Sequence, residues 1–199
     1  MSAENIGADG GSGPPTPGAN PAPRYAMMPY PLPLPFRIGH GYDIHRLRPG
    51  GKLMMAGVEV ADGISPVAHS DGDVVLHAVV DALLGALGLG DIGETFPNSN
   101  PLWKDASSRL FVEYVMAHHV TPKGYELVNL DVTVQAERPK LNAFKRQMVE
   151  TLAGLLEALP EQVNVKAGTN EGCDAIGRGE AIAAHAVVLL ALANGEGKT

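Results

Sequence analysis

Two short clusters near the start of the chain contain four of its seven histidines, and they constrain the fold because they belong to different kinds of element. In the first cluster Asp43 and His45 are separated by one residue, so on a strand both side chains point to the same face. In the second cluster His77 lies within an apolar run that predicts a helix. Two ligands from a strand and one from a helix leave one position open, which is how catalytic zinc is usually held. The pattern predicts an enzyme with a metal site.

The bulk composition narrows the class of protein. With 199 residues, 45% of them hydrophobic, the chain is long enough for one domain with a real core. Its single cysteine, Cys173, excludes an internal disulfide and favours a reducing compartment. The net charge of -7 argues against nucleic-acid binding, which depends on clustered cations. No run of about 18 apolar residues is present, so no membrane partner is expected.

The first 35 residues differ from the rest of the chain. They are rich in Pro, Gly, Ala and Ser, so we expect a disordered tail over residues 1–35 and a folded domain over residues 36–195. With one arginine, Arg24, and two acids, Glu4 and Asp9, the tail matches a transit peptide poorly. Two interpretations stay open. The chain is a cytoplasmic protein of bacterial type with a natural extension, or a plastid stromal protein whose targeting segment has been trimmed.

The helix that carries His77 has readable ends. Ser70 is predicted to be its N-cap, with Asp73 three residues later completing a capping-box-like pair. The helix should run to about Leu87 and stop at Gly88, because glycine adopts the left-handed conformation common at helix ends.

Hydrophobic periodicity predicts the other elements and the fold class. Residues 36–47 and 52–60 should be strands joined as a hairpin by a turn at residues 49–51. The alternation of strands and helices indicates an α/β (α+β) fold, with one sheet covered by helices on one face. The further predictions are helices over residues 107–119 and 145–159, strands over residues 128–136 and 163–167, a turn at residues 177–179, and a helix or strand over residues 181–192.

His77 could be an ordinary core residue, since a lone histidine in an apolar helix usually is. It shares a stripe with Asp73 and Asp81 at i, i+4, i+8 spacing, and either carboxylate could orient the imidazole ring. This stripe, together with Asp43 and His45, favours the metal interpretation.

The remaining histidines are weaker candidates. His40 lies on the opposite strand face from Asp43 and His45, so we expect it to pack. His69 precedes the helix, where a phosphate would be favoured, and is a plausible donor to an anion. His185 lies in the last apolar segment and is predicted to be a core residue.

Three polar segments leave the ends of predicted elements, where ligands are often bound. They are residues 90–100, residues 136–142 and residues 166–171. The third offers a hydroxyl, an amide and a carboxylate in succession, which suits phosphate together with a divalent cation.

Together these segments closely resemble the 2-C-methyl-D-erythritol 2,4-cyclodiphosphate synthase family of the non-mevalonate route to isoprenoids. The resemblance spans residues 36–192, and the two histidine clusters are its most specific part. The segments that carry it are residues 37–47, 68–77 and 90–93, then Pro139-Lys140, residues 163–167, Thr169 with Glu171, and residues 177–180.

The resemblance implies a homotrimer with active sites between adjacent subunits and a mixed sheet in each subunit. The implied reaction converts 4-diphosphocytidyl-2-C-methyl-D-erythritol 2-phosphate into the cyclic diphosphate and CMP. It implies one Zn²⁺ per subunit, held by Asp43, His45 and His77. A second divalent cation, Mg²⁺ or Mn²⁺, would be placed with the help of Glu171.

The resemblance also assigns the other roles. His69 and Thr169 would stabilise the transition state, and Arg178 is a candidate phosphate contact. The implied substrate-binding residues are Asp43, His45, His69, Ser70, Asp91, Gly93, Phe96, Pro97, Asn98, Ser99, Asn100, Ala136, Glu137, Arg138, Pro139, Lys140, Leu141, Asn142, Gly168, Thr169, Asn170, Glu171 and Arg178.

The chain departs from the family pattern at a few positions. Asn98 and Asn100 stand where aspartates are common, and their amides can still accept from sugar hydroxyls without adding charge. Gly168 replaces a usual threonine, and residues 173–175 replace a common Leu-Gly-Phe. None of these positions is a predicted zinc ligand.

Two rival functions stay open on the residues alone. A metal-dependent phosphohydrolase would use the open position to activate water and would release inorganic phosphate. A non-catalytic nucleotide- or metal-binding scaffold would bind cytidine diphosphate compounds without turnover.

Overall fold

The computed structural model describes residues 35–193. The predicted tail, all but Pro35, and the last two residues of the predicted domain lie outside the described residues. No helix in the described part of the chain is long and apolar enough to cross a membrane. The strands are β1 (Phe36–Met55), β2 (Val58–Pro66), β3 (Tyr125–Gln135), β4 (Val163–Gly168) and β5 (Ala181–Leu192), and the helices are α1 (Val74–Leu87), α2 (Ile92–Thr95), α3 (Arg109–Val115), α4 (Lys145–Leu155) and α5 (Asp174–Gly177).

The strands form one sheet in the order β2-β1-β5-β3-β4. Only β3 and β4 are parallel, and the other neighbours are antiparallel. The predicted single mixed sheet is therefore confirmed. Helix α1 packs across β1 and β5 on one face. The opposite face presents exposed apolar side chains in this chain, among them Phe36, Ile38, Tyr42, Ile44 and Val187.

Two glycines on β1 let helix α1 approach the strand backbone. A Cβ at Gly39 would lie 1.8 Å from the Ala82 carbonyl oxygen, and one at Gly41 would lie 1.9 Å from that of Ala78. No side chain fits at such distances, so only glycine permits this packing. Because alternate strand residues share a face, the same approach directs the next residues in the series, Asp43 and His45, towards α1.

Helix α1 begins after Asp73, so the prediction of Ser70 as its N-cap is wrong. The Asp73 side chain accepts hydrogen bonds from the backbone N–H groups of Val75 and Leu76, as an N-cap does. It also accepts from Ala56 N at 2.9 Å and Gly57 N at 2.6 Å in the turn between β1 and β2. This fully buried carboxylate therefore joins the start of α1 to the hairpin. The predicted end of the helix, at Gly88, is confirmed.

The predicted turn at residues 49–51 is also wrong. Gly50 and Gly51 have positive φ angles of 82° and 79°. The pairing of β1 with β2 shifts register between Pro49 and Lys52, so the two glycines form an irregularity inside one long strand. The hairpin turns instead at Ala56 and Gly57, between the end of β1 and the start of β2.

The other predicted elements differ mainly at their ends. The helix predicted over residues 107–119 is α3 followed by a π-helical segment, Met116–Val120. Helix α4 stops at Leu155, short of residue 159, and Glu157 just beyond it takes a φ of 53°. The last apolar segment, left open between helix and strand, is the central strand β5.

We expect Gly41→Ala to destabilise the fold because its Cβ would overlap the Ala78 carbonyl. The overpacking should lower the free energy of unfolding by about 1–3 kcal/mol or more, measured by urea unfolding. Gly154→Ala in α4 is the matched control, since a Cβ there meets nothing within 4 Å. It should be stabilising by about 0.5–1 kcal/mol. Equal effects of the two substitutions would contradict the close approach of α1 and β1.

Candidate metal centre and adjoining cavities

Asp43, His45 and His77 converge, as predicted. Asp43 Oδ2 lies 3.0 Å from His45 Nε2 and 2.9 Å from His77 Nδ1, and the two nitrogens are 3.2 Å apart. Among the described residues, these three form the group that could hold a metal ion. Tetrahedral zinc with bonds of about 2.0–2.1 Å separates its ligand atoms by about 3.3 Å, close to the distances found here. The donor set and its spacing therefore fit a divalent cation such as zinc.

The three side chains of the trio attract one another electrostatically. Burial alone would raise the pKa of Asp43, but hydrogen bonds and charge interactions with His45 and His77 outweigh it and hold that pKa well below its usual range. Burial alone would lower the pKa of His77, and the hydrogen bond and charge of Asp43 outweigh it and raise that pKa. A divalent cation would compete with the proton shared by these groups.

His77 is oriented from its other side by two hydroxyl groups. Its Nε2 lies 2.9 Å from Ser108 Oγ and 3.1 Å from Ser70 Oγ. Ser108 is fully buried, and its hydroxyl also forms a short hydrogen bond with Asp71 Oδ1. Ser108 was not singled out from the sequence, where it falls inside the helix predicted over residues 107–119.

The polar stripe predicted that the carboxylate of Asp73 or Asp81 could orient the His77 ring, but both carboxylates are bonded to backbone N–H groups instead. Asp73 is occupied by backbone N–H groups. Asp81 accepts from Ile92 N at 2.8 Å and so anchors the start of α2. Burial raises the pKa of the Asp81 carboxyl, partly offset by that hydrogen bond.

The two other histidines on strands each need a correction. Strand parity predicts the face of His40, but His40 is exposed, so the expectation that it packs is not confirmed. His40 lies on the face opposite the trio, and its Nε2 is 3.2 Å from His185 Nδ1. His185 was predicted to be a core residue, but it is only half-buried and shares this open face with His40 and Tyr42. The prediction was wrong because the segment is a strand whose alternate side chains leave the core.

A cavity of about 280 Å³ adjoins the trio. Several predicted substrate residues line it: His69, Ser70, Gly93, Phe96 and Asn98. Its apolar wall is completed by residues that the sequence did not single out, Trp103 and Phe111, with the Phe96 and Phe111 rings stacked at 4.5 Å between centroids.

The rest of this predicted loop supports the cavity without lining it. Asp91 caps α2 by accepting from Glu94 N at 2.9 Å. Asn100 accepts from Leu102 N at 3.1 Å and begins a 3₁₀ turn, Pro101–Trp103. Pro97 and Ser99 are exposed between them.

A second cavity, of about 170 Å³, brings together most of the residues predicted to hold the nucleotide. It is lined by Ala136, Pro139, Lys140, Leu141, Asn142, Ala167, Gly168 and Thr169. The Arg138–Pro139 peptide bond in this segment is cis. The two cavities share no lining residue.

Four other predicted site residues do not line this second cavity, and Arg138 lines a separate one with Pro139 and Gly179. Glu137 Oε1 accepts from Asn170 N at 2.9 Å and so connects the two nucleotide segments. Glu171 accepts a 2.7 Å hydrogen bond from the Thr169 hydroxyl. Arg178 is exposed and paired with Glu180 through two hydrogen bonds of 3.0 Å.

Within residues 35–193, the mixed sheet and the aspartate–histidine trio define a small α/β domain with one candidate metal centre. A family model described as the YgbB family matches residues 36–191. The chain belongs to this family.

Relatives with curated names agree with one another. The chloroplastic 2-C-methyl-D-erythritol 2,4-cyclodiphosphate synthase of Oryza sativa subsp. japonica is 51% identical over 169 residues, which are 84% of this chain and 75% of that protein. The synthase of the same name from Geobacter sulfurreducens is 51% identical over 154 residues, 77% of this chain and 98% of that protein. The predicted enzyme class is confirmed.

A solved structure agrees as well. The structure described as IspF from Plasmodium falciparum in complex with CDP superposes with a TM-score of 0.70 at 33% identity, covering 80% of this chain and 97% of that one. The predicted α/β fold with a single mixed sheet and the resemblance to this family are therefore confirmed, while the homotrimer and the roles of individual site residues stay predictions.

We expect His77→Ala to abolish stoichiometric zinc binding, because it removes one of three converging ligand atoms. Zinc content after dialysis, measured by atomic emission, checks this. His118→Ala is the matched control, since His118 is exposed and contacts Tyr114 on α3 instead of the trio. Full zinc occupancy in His77→Ala would remove His77 from the ligand set.

The metal-free chain should also show a pH dependence set by the trio. The contribution of His77 is fully present below the ordinary histidine pKa of 6.5 and is lost as the pH rises through its raised folded value. The contribution of Asp43 is present above the ordinary value of 3.8 and is lost as the pH falls through its lowered folded value. With EDTA present, the free energy of unfolding should therefore be higher at about pH 5.5 than at about pH 8.5.

Asp43→Asn tests the cause of this pH dependence. The substitution removes the carboxylate that raises the pKa of His77, so the difference between the two pH values should shrink. An unchanged difference in urea unfolding would assign the effect to other groups.

Proposed function

We propose that this chain converts 4-diphosphocytidyl-2-C-methyl-D-erythritol 2-phosphate into 2-C-methyl-D-erythritol 2,4-cyclodiphosphate and CMP, as a phosphorus–oxygen lyase of non-mevalonate isoprenoid biosynthesis. The observation that carries the proposal is the convergence of Asp43, His45 and His77 beside a cavity, in a chain about half identical to synthases of that name.

The reaction needs no protein nucleophile, because the substrate's own 2-phosphate attacks; the protein must position the two reacting phosphates. An oxygen of the 2-phosphate attacks the β-phosphorus, the bond from that phosphorus to the bridging oxygen breaks, and CMP leaves with the bridging oxygen. Two phosphates of one polyanion must be held together, so the protein contributes orientation and compensating charge. A cavity with a polar metal end and an apolar wall of Trp103, Phe111 and Phe96 suits a branched polyol phosphate.

In this proposal Asp43, His45 and His77 hold Zn²⁺, which when bound polarises the β-phosphate. His69 lines the same cavity and donates to phosphate oxygens as their charge grows. Thr169 does so from the nucleotide side, and Glu171, bonded to its hydroxyl, helps to place a second divalent cation, Mg²⁺ or Mn²⁺. Arg178 would have to leave Glu180 to contact phosphate.

The nucleotide half is assigned to the second cavity. Residues 136–142 and 168–171 offer backbone groups and a lysine, Lys140, for the cytidine diphosphate. A solved relative is described as a CDP complex, which supports a cytidine nucleotide as a ligand of this domain. Residues 91–100 would hold the methylerythritol part beside the trio.

We further propose a homotrimer with active sites between adjacent subunits. Within one chain the trio cavity and the nucleotide cavity share no lining residue, so no single cavity of one chain contains both proposed halves of the site. The exposed apolar residues on the open sheet face also favour an assembly that covers them. The compartment stays a prediction, since the relatives include a chloroplastic plant synthase and a bacterial one.

Incubation with the cytidyl substrate and Mg²⁺, followed by phosphorus NMR, tests the reaction. We expect CMP and the cyclic diphosphate to appear in equal amounts. Release of inorganic phosphate would identify a phosphohydrolase, and tight binding without products would identify a non-catalytic scaffold.

His69→Ala separates the proposed phosphate donor from the zinc ligands. Loss of one preorganised donor should lower turnover by about 10²–10³-fold while zinc content stays complete. His118→Ala should keep both properties. Normal turnover in His69→Ala would exclude a role for His69 in the transition state.

A further inference from the structure

The buried hydroxyl of Ser108 lies between the metal trio and a carboxylate that does not belong to it. On one side Ser108 Oγ is 2.9 Å from His77 Nε2, and on the other it forms a short hydrogen bond with Asp71 Oδ1. Ser108 stands just before α3, yet its side chain makes no capping hydrogen bond to that helix. Its hydroxyl is therefore committed to His77 and Asp71.

The two hydrogen bonds that connect His77, Ser108 and Asp71, called the relay below, can run in only one direction. An ionised carboxylate accepts and cannot donate, so the Ser108 O–H must donate to Asp71. The Ser108 oxygen then accepts from His77, which requires a proton on Nε2, and Ser70 Oγ, 3.1 Å from the same nitrogen, can accept a share of that proton. With that proton fixed, the lone pair of a neutral His77 ring is on Nδ1, the atom that faces Asp43 and His45.

Asp71 is itself held in place. Its Oδ2 accepts from Ser108 N at 3.0 Å and its Oδ1 accepts from Asp73 N at 3.2 Å. Two backbone hydrogen bonds, Asp105 N to His69 O at 2.8 Å and Asp71 N to Ala106 O at 3.1 Å, bind the segment before α3 to the segment before α1. The carboxylate is therefore a fixed reference for the Ser108 hydroxyl.

We propose that Ser108 and Asp71 are positioning residues that set the tautomer and the ring orientation of the metal ligand His77. The inference rests on the proposed metal site and adds residues that contact neither the ion nor the substrate. Outer hydrogen-bond partners of this kind raise the basicity of a ligand and restrict its rotation, and their loss commonly weakens metal binding about 10–100-fold.

Zinc affinity, measured by competition with a chromophoric chelator on the full chain, tests the proposal. Ser108→Ala should bind Zn²⁺ about 10–100-fold more weakly than the unsubstituted chain. Ser107→Ala is the matched control, an exposed serine one position earlier, and its affinity should be unchanged. The absorption spectrum of bound Co²⁺ should change in Ser108→Ala and not in Ser107→Ala, since it reports the geometry of the ligands.

Asp71→Asn provides a second variant if Ser108→Ala does not fold. Its amide can donate to Ser108 Oγ, which frees the hydroxyl to turn its proton towards His77, so zinc affinity should again fall. The double variant should bind no more weakly than Ser108→Ala, because both substitutions act through one hydroxyl.

The outcomes separate the positioning role from the metal site. If the unsubstituted chain binds no stoichiometric zinc, both the proposed metal site and the proposed role of Ser108 and Asp71 are wrong. If it binds zinc and Ser108→Ala binds equally well, or if the two substitutions weaken binding additively, the relay alone is overturned. Ser108→Thr, which keeps the hydroxyl, should recover affinity relative to Ser108→Ala if the relay operates.

Discussion

The contact between the backbones of β1 and α1 determines the geometry of the proposed active site. Gly39 and Gly41 bring the strand against the carbonyl groups of Ala78 and Ala82, closer than any side chain would permit. His77 immediately precedes Ala78, and Asp43 follows Gly41 on the same strand face. A loss of contact at the glycines would therefore move two elements that each carry part of one ligand set.

Two neighbouring aspartates connect this contact to the rest of the domain in different ways. Asp73 gathers four backbone N–H groups from the hairpin turn and the first turn of α1. Asp71 gathers the N–H and the hydroxyl of Ser108 at the start of α3. Burial raises the pKa of the Asp73 carboxyl, with the backbone donors opposing it. Each carboxylate accepts hydrogen bonds from a segment that is distant in sequence. Residues 70–73 therefore position the hairpin turn, the start of α3 and His77 relative to one another.

The sequence predicted the trio because periodicity alone decides which residues share a face. Asp43 and His45 alternate on a strand, and His77 belongs to a helix that must cover that strand. The N-cap of α1 was harder to predict, because the side chains of Ser70 and Asp73 are both suitable for that position. Asp73 was selected by Ala56 and Gly57, whose N–H groups come from 16 or 17 residues away.

Other features depend on contacts that a linear pattern does not contain. Gly50 and Gly51 take the positive φ angles that a turn requires, but a strand irregularity uses the same conformations. Ser108 reaches His77 across 31 positions, and Trp103 enters the trio cavity only because the segment before α3 returns to the segment before α1. Local propensity therefore predicted the elements, while tertiary contacts determined their ends and the second set of residues around the ligands.

The choice of one carboxylate and two imidazoles also bears on how an acidic chain can bind a phosphorylated substrate. The chain has a net charge of -7, which opposes an anionic ligand at long range. With neutral imidazoles at His45 and His77, Asp43 is the one charged group among the three proposed ligands, so a divalent cation and its ligand set together keep one positive charge, with the Asp71 carboxylate close behind His77. A set of three carboxylates would leave one negative charge and repel the β-phosphate. Salt at physiological concentration screens charges that lie more than about 8–10 Å away, so the cation, Asp43 and the nearby aspartates determine the field at the proposed centre more than the net charge does.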